Sequence, residues 1–511
     1  MKRYRVEEYL RILENNGLVV SRENTGDIMS KPVKKVAYNS AKVTQNTLFV
    51  CKGAGFKEEF LDMAIEKGAM VYISEKNYRK SIPCVIVNDI QKALSLVSNI
   101  FYNFPWQKLN LIGITGTKGK STTSYYVKYI LDEYLKDNSA SESGIISSID
   151  TYDGKVKKES HLTTPESLEL QMHFNNAASK NLQYMVTEVS SQALKYGRLY
   201  GVNFDIGVFL NISEDHISPI EHKDLEDYFE SKLTIFRQCR IACINLDSDF
   251  LPRVKDAASK AERLITFGTK PEADIYGYDI GKDGSDTVFN VRSDKFDRQF
   301  RLTMPGLFNV ENALAAIAVA YALDIPHEYI YSGLKQAKSS GRMEIYESRN
   351  KDRIIIVDYA HNKLSFSKLY ESAKKEYPNR KIYTVFGCPG GKAYIRRKDL
   401  GTLSGLHSDK VILTSEDPGD ESVKDICEDI AQYVKLNNSN YEIIEDREEA
   451  IKKSIMSSDP NTVILITGKG NEKRQKIGKK YVSCRSDVEN VKKHLKKYDD
   501  GTGASATTSR K

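Results

Sequence analysis

The sequence predicts an α/β protein of three domains, on three observations. At 511 residues the chain exceeds what one hydrophobic core can organise. Short apolar, β-branched runs alternate with longer amphipathic stretches over most of its length, as parallel strands covered by helices do. A glycine-rich turn follows one such run and opens a helix, which starts a new block near residue 109.

Residues 1–108 hold the runs TLFVCKG, AMVYISE and CVIVND between helical stretches, which predicts a small α/β domain. Residues 109–339 begin with LNLIGI, the glycine-rich turn and the amphipathic STTSYYVKYILDEYL. LQYMVTEV, FDIGVFLNI and IACINLD follow, so a parallel-sheet domain is expected. In residues 340–498, RIIIVDYAH, KIYTVFGC, KVILTSEDP and TVILITGKG alternate with polar helical stretches, the pattern of a Rossmann-like doubly wound sheet. Ligands gather at the carboxyl ends of such strands, here marked by Asp358, His361, Cys388, Glu416, Asp417 and Lys469. The tail 499–511 is poor in apolar residues and reads as disordered.

Composition narrows the function classes. Charged residues make up 28% and the formal charge is +7, spread without a long block of one sign, which argues against a nucleic-acid footprint. No run approaches the ~18 apolar residues of a spanning helix, and the N-terminus lacks the apolar stretch of a signal peptide; a cytoplasmic protein is expected. The seven scattered cysteines form no C-x-x-C pair and read as reduced thiols.

The strongest motif is GITGTKGKSTT (113–123). Glycines let backbone N–H groups turn toward a phosphate, Lys120 places a charge among its oxygens, and Ser121 offers a hydroxyl to Mg²⁺. The helix that follows adds its positive dipole end. A strict Walker A spacing would require glycine at Ile114, so the match is to the shorter G-x-x-G-K-[ST] form.

That loop resembles the nucleotide loop of the Mur ligases and of the related folylpolyglutamate synthases. TEVSSQALKYGRL (187–199), NISEDH (211–216), YFESK (228–232), NLDSD, PGLFNVENALAA, GRME and VDYAHN resemble further Mur ligase segments in the same order. The resemblance implies ATP-dependent amide formation, in which a carboxylate is phosphorylated and an amine then displaces phosphate. It implies ATP contacts at Gly116, Thr117, Lys118, Gly119, Lys120, Ser121, Thr122, Asn309, Arg342 and Asp358. Asn309 and Asn312 would contact the adenine side or brace the domain junction. It implies Mg²⁺ at Ser121, Glu188 and His216, catalytic roles for Lys120, Glu188, His216 and Lys232, and a CO₂-derived carbamate on Lys232 (N6-carboxylysine). The pattern D-Y-A-H-N-P is broken by Lys363 in place of proline, a departure that bears on local geometry.

Within the family, the branch that extends UDP-MurNAc-L-Ala-D-Glu by a diamino acid is the nearest resemblance. HLTTPE (161–166) and YNS (38–40) before LFVCKG resemble its substrate segments, with Asn39 and Ala41 departing from the usual Asp and Arg. Ser40, Thr163, Thr164, Ser190 and Arg198 would then hold the muramoyl dipeptide, and residues 1–108 the uridine nucleotide. Where diaminopimelate-adding members carry D-N-P-R, this chain has Glu416-Asp417-Pro418-Gly419. Two acids where that motif has one, and no arginine, favour a distal ammonium, hence L-lysine ahead of ornithine or diaminopimelate. Gly468 and Glu472, in GKGNE, and Arg397 would complete the amino-acid pocket, with Arg396 an equal candidate to Arg397. A monomer is expected. The competing readings are a folylpolyglutamate synthase-type ligase, a Mur-like amidating subunit, a non-catalytic nucleotide-binding protein and a P-loop NTPase acting on nucleic acid. The first would leave the N-terminal domain and T-T-P-E without a role.

Overall fold

The structure, a computed structural model, describes residues 3–508 apart from 54, 161, 216, 219, 220, 285, 339, 340, 342, 438 and 439, and gives side chains only to residue 501. Its strands fall into three large sheets that follow one another along the chain, with one small hairpin near the end.

The first sheet has five strands in the order Val19–Glu23, Cys84–Val87, Ala69–Ser74, Thr47–Val50, Lys35–Ala37. All neighbours are parallel except the first pair. Thr47–Val50 and Cys84–Val87 are buried throughout, because helices cover both faces. Helix Ile90–Phe101, capped by Asp89, joins this unit to the next: Ser95 Oγ donates to the carbonyls of Arg198 (3.1 Å) and Tyr200 (2.8 Å).

The central sheet has eleven strands. Asn110–Thr115 lies in its middle, flanked in parallel by Phe204–Phe209 and Tyr184–Glu188. The parallel block continues outward through Cys239–Asn245 and Arg263–Gly268 on one side and Gly144–Ile146 on the other. Both ends of the sheet turn antiparallel, at Ile275–Asp283, Asp286–Arg292 and Asp297–Leu302 and at Asp150–Tyr152 and Lys157–Glu159. Apolar clusters fill both faces, one of them built around helix Asn309–Ala322, which is buried along nearly its whole length.

The third sheet has six strands, ordered Glu344–Glu347, Arg353–Asp358, Thr462–Thr467, Lys381–Phe386, Lys410–Leu413, Tyr441–Ile443. Only the first edge pairing is antiparallel. The four strands read from the sequence are present, and their carboxyl ends face the central sheet's phosphate loop across a cleft. Lys363 is the first residue of helix Lys363–Glu376; Asn362 caps it, accepting from Ser365 N at 3.1 Å, so the helix starts without the proline.

The tail differs from its expectation. Helix Asp487–Thr508 runs through most of the segment that composition marks as disordered. Val488, Val491, Leu495 and Tyr498 bury the helix's first part against the third sheet.

Candidate active site

The phosphate loop is stapled before any ligand is considered. Asn211, just beyond strand Phe204–Phe209, accepts from Lys118 N through Oδ1 (2.9 Å) and from Thr117 N through its carbonyl (3.0 Å). Tyr228 OH donates to Thr117 Oγ1 (3.2 Å), and Ser213 N donates to the same oxygen (3.0 Å). Gly119 sits at φ +84°, and a Cβ there would meet Asn312 Oδ1 at 2.0 Å, so both conformation and space demand glycine. Helix Lys120–Asp137 then starts with its amide ends toward the cleft.

Three lysines crowd this loop. Lys120 Nζ donates to the carbonyls of Gly116 (2.9 Å) and Thr117 (3.1 Å). Lys232, 1% exposed behind the loop, donates to the same Gly116 carbonyl at 2.9 Å and lies 4.5 Å from the Tyr228 ring centroid. Burial first, then Lys120 and Lys118, push the Lys232 ammonium well below its usual range, against the pull of Asp215. This favours its neutral amine relative to an exposed lysine, although Lys232 does not line the cavity that holds Lys120 and Glu188.

The oxygens expected around Mg²⁺ converge. Ser121 Oγ is 2.9 Å from Ser148 Oγ, and Ser148 N donates to Glu188 Oε1 at 3.0 Å. The hydroxyl of Ser121 and the carboxylate of Glu188 are hard oxygen donors of the kind Mg²⁺ takes. His216 lies outside the described residues, and no group of three acidic, histidine or cysteine side chains disposed for a metal occurs among those described. Ser148, in GIISSID, was not singled out in the sequence; nothing in its local pattern marks it.

Two cavities meet at the loop. The first, about 270 Å³, runs between the central and third domains and is lined by Gly119, Asn309, Asn312 and Asp358 among others. Asn309 is 1% exposed and donates to Pro305 O (2.6 Å), so it braces the junction while facing this cleft. Asp358 accepts from Met343 N (2.9 Å) and Ala360 N (2.7 Å). Arg342 lies outside the described residues. The second cavity, about 360 Å³, shares Lys118, Gly119, Thr122 and Tyr359 with the first. It unites Lys120, Ser121 and Glu188 with Thr163 on one side and Glu416, Asp417 and Glu472 on the other.

At the third-domain end of this chamber the acids are not bare. Lys469 Nζ donates to Asp417 Oδ1 (2.9 Å) and Glu472 Oε2 (2.6 Å), and Tyr359 OH donates to Glu472 Oε1 (2.8 Å). Glu416 is 9% exposed, and burial, reinforced by Asp417, lifts its carboxyl to about 7 despite Arg396, Lys469 and Arg447. Gly468 (φ +104°) leaves room beside it: a Cβ there would lie 3.3 Å from Glu416 Oε2. The two candidate arginines of the amino-acid pocket separate in the structure. The Arg397 guanidinium is held by Glu421 and, at 3.2 Å, by Asp429, while Arg396 lines the chamber. On a helix, consecutive side chains point about 100° apart, so only one of the pair can face inward.

The residues expected to hold the dipeptide separate in the same way. Thr163 lines the chamber. Thr164 is buried and donates to Glu188 O (2.8 Å), and Ser190 caps helix Ser191–Lys195 and donates to Thr164 Oγ1 through its N–H (3.0 Å); both position the strand end. Arg198 reaches Thr164 O and Glu166 (both 3.1 Å), and Glu166 also pairs with Lys52 of the first domain, a cation the sequence reading passed over. Ser40 is buried, and Lys67 Nζ donates to its carbonyl (3.3 Å).

A phosphate loop facing the strand ends of a second nucleotide-type sheet, across a chamber with oxygen donors in the middle and acids at the far wall, defines the class: a nucleotide-dependent ligase with its site between two domains. Comparisons with known proteins sharpen the class. The Mur ligase middle domain matches residues 114–320 and the Mur ligase, glutamate ligase domain matches 341–470. A UDP-N-acetylmuramoyl-L-alanyl-D-glutamate--L-lysine ligase of Enterococcus faecalis is 35% identical over 88% of each chain. One of Streptococcus agalactiae is 38% identical over 90% of this chain and 92% of its own. Among solved structures, a UDP-N-acetylmuramoyl-L-alanyl-D-glutamate--2,6-diaminopimelate ligase shares the fold at TM-score 0.66 and 24% identity, over 97% of this chain and 99% of its own. The chain belongs to the Mur ligase family and is an ATP-dependent amide ligase. No helix among the described residues is long and apolar enough to cross a membrane.

Proposed function

We propose that this ligase joins L-lysine to the D-Glu carboxylate of UDP-MurNAc-L-Ala-D-Glu, through an acyl phosphate, in the cytoplasmic assembly of peptidoglycan precursor. The observation that carries this reading is the single chamber in which the phosphate loop, Thr163 and the acids Glu416, Asp417 and Glu472 meet. The relatives at 35–38% identity, named as lysine ligases, support the choice of substrate. The folylpolyglutamate synthase reading is less well supported: a solved one from Thermotoga maritima spans only 73% of this chain. Residues 1–108, 109–339 and 340–498 are the proposed domain limits, with the uridine end in the first, beside Ser40 and Lys52, and the protein acting as a monomer.

ATP would lie in the cleft between the second and third domains, its phosphates among the loop amides of 116–122 and the ammonium groups of Lys118 and Lys120. Charge gathers on the transferring phosphoryl group, so these donors act mostly by position and by neutralisation. Ser121 and Glu188, with His216, would hold Mg²⁺, which supplies charge neutralisation at the phosphates. Lys232 would carry the carbamate, since a neutral buried amine can add CO₂ and an ammonium cannot. Arg198, Thr163 and Lys52 would orient the anionic sugar peptide. Arg396 faces the chamber as an anion-binding group, and Glu416 and Glu472 would draw the ammonium groups of the incoming amino acid.

The decisive experiment measures phosphate release with ATP, Mg²⁺ and UDP-MurNAc-L-Ala-D-Glu, offering L-lysine, L-ornithine and meso-diaminopimelate separately. Turnover with lysine alone is the expected result. Preference for diaminopimelate would keep the family and refute the acid-lined pocket argument.

A further inference from the structure

We infer that Asp215 is a positioning residue whose carboxylate latches the third domain onto the phosphate loop, acting through Asn362 and Arg396. Asp215 is 3% exposed and belongs to the central domain. Its Oδ1 accepts from Arg396 Nη2 at 2.8 Å, and its Oδ2 accepts from Asn362 Nδ2. These donors stand on two separate elements of the third domain: Asn362 caps helix Lys363–Glu376, and Arg396 lies in the first turn of helix Ile395–His407. One buried carboxylate thus fixes two helices at once.

The phosphate loop reaches the same point. Lys118 Nζ is 3.9 Å from Asp215 Oδ2 and 3.4 Å from His361 Nε2, and His361 Nδ1 donates to Tyr359 O at 2.7 Å. Lys118 also lines both cavities. When the domains part, Asp215 loses both third-domain donors, while Lys118 stays beside it on the central domain. When they close, Arg396 takes the carboxylate, and the Lys118 ammonium can turn to phosphate. Nucleotide binding and domain closure are thereby linked through one exchange of partners.

Other ties cross the same boundary, Lys282–Glu376 at 3.0 Å and Lys368–Glu311 at 2.6 Å, but their lysines are 28% and 34% exposed and are screened by salt. The Asp215 cluster is buried, where an unpaired charge is costly, so its two arrangements are discrete. Arg396 is 8% exposed, and its Nε has no partner among the described residues. Asp215 therefore fixes a guanidinium that still has a donor to offer. The inference rests on the ligase chemistry and is independent of which amino acid is added.

The test is Asn362→Asp. Aspartate caps a helix as well as asparagine does, so helix Lys363–Glu376 is kept, while a second carboxylate is set against Asp215. The expected result is a kcat lowered by ~100-fold together with a raised KM for ATP, since closure and nucleotide binding are coupled reciprocally. Small-angle scattering with Mg²⁺ and a non-hydrolysable ATP analogue should show the variant more extended than the wild type. Asp215→Asn and Arg396→Gln should each lower kcat, and their double variant should lose little more than the worse single one. Identical scattering profiles, an effect confined to KM, or losses that multiply in the double variant would each overturn the latch. Scattering needs no acceptor substrate, so its outcome is separate from that of the lysine assignment.

Discussion

Lys232 and Glu416 are two groups whose burial sets their chemistry. Desolvation and its lysine neighbours push the Lys232 ammonium well below its usual range. For a carbamate role, Lys232→Ala should lose activity by ~100-fold or more while staying folded, and formate or acetate should restore part of it. Full activity of the unrescued variant would remove the carbamate from the mechanism. Glu416 titrates near 7 because its carboxyl is buried beside Asp417. Its folded value lies above its unfolded one, so its contribution to stability is complete below about 4.5 and is lost as pH rises through about 7. The charged form is the one that attracts an ammonium, so KM for the diamino acid should fall about tenfold between pH about 6 and about 8. A Glu416→Gln enzyme should show a flat profile there; an unchanged slope would exclude Glu416 as its source. The loop lysine Lys120 and the strand-end acids were legible in the sequence because motif and strand end coincide. Asn211 and Asp215 stood in the segment NISEDH, but their contacts with Lys118, Asn362 and Arg396 did not show there, and Ser148 was missed altogether, because these partners are remote in sequence.

At the scale of elements, the phosphate loop is fixed by a close approach as much as by its motif. Asn312, on the buried helix Asn309–Ala322, leaves no space for a Cβ at Gly119. Gly119→Ala should abolish nucleotide binding in a fluorescent-nucleotide titration while the circular dichroism spectrum is kept, because the strain falls on one turn. Wild-type affinity in that variant would show that the loop can rearrange. The longer buried parallel strands were legible from their apolar, β-branched runs, whereas Lys35–Ala37, Gly144–Ile146, Arg263–Gly268 and Tyr441–Ile443 were not read. The antiparallel ends of the central sheet escaped, since Asp286–Arg292 alternates buried and half-buried residues among charges and polar turns, a pattern that also suits a surface loop. The hairpin of Arg474–Ile477 and Lys480–Ser483 escaped too. It matters to the site, because Gln475 Nε2 donates to Glu416 O (2.6 Å), Lys476 N donates to Asp417 Oδ1 (3.0 Å), and Arg474 reaches Ser160 O of the central domain (3.0 Å).

For the whole molecule, the nucleotide cleft is lined by the second and third domains. A ligand bound between two units stabilises them jointly. Mg²⁺ with a non-hydrolysable ATP analogue should therefore raise the unfolding temperatures of these two domains together in calorimetry. A shift of the central domain alone would mean that the third domain does not contribute to the nucleotide site.

The sequence by itself determined the three α/β units, the phosphate loop and the family, because each is written in local patterns: period, glycine spacing and motif order. Only the tertiary structure decided which of two adjacent arginines enters the chamber, since a helix turns neighbouring side chains about 100° apart and its phase is set by packing. It also decided that Lys469 already grips two of the chamber's acids and that Asp215 ties three segments together. Burial, charge balance and partner choice arise where distant segments meet, and a linear pattern carries no record of that meeting.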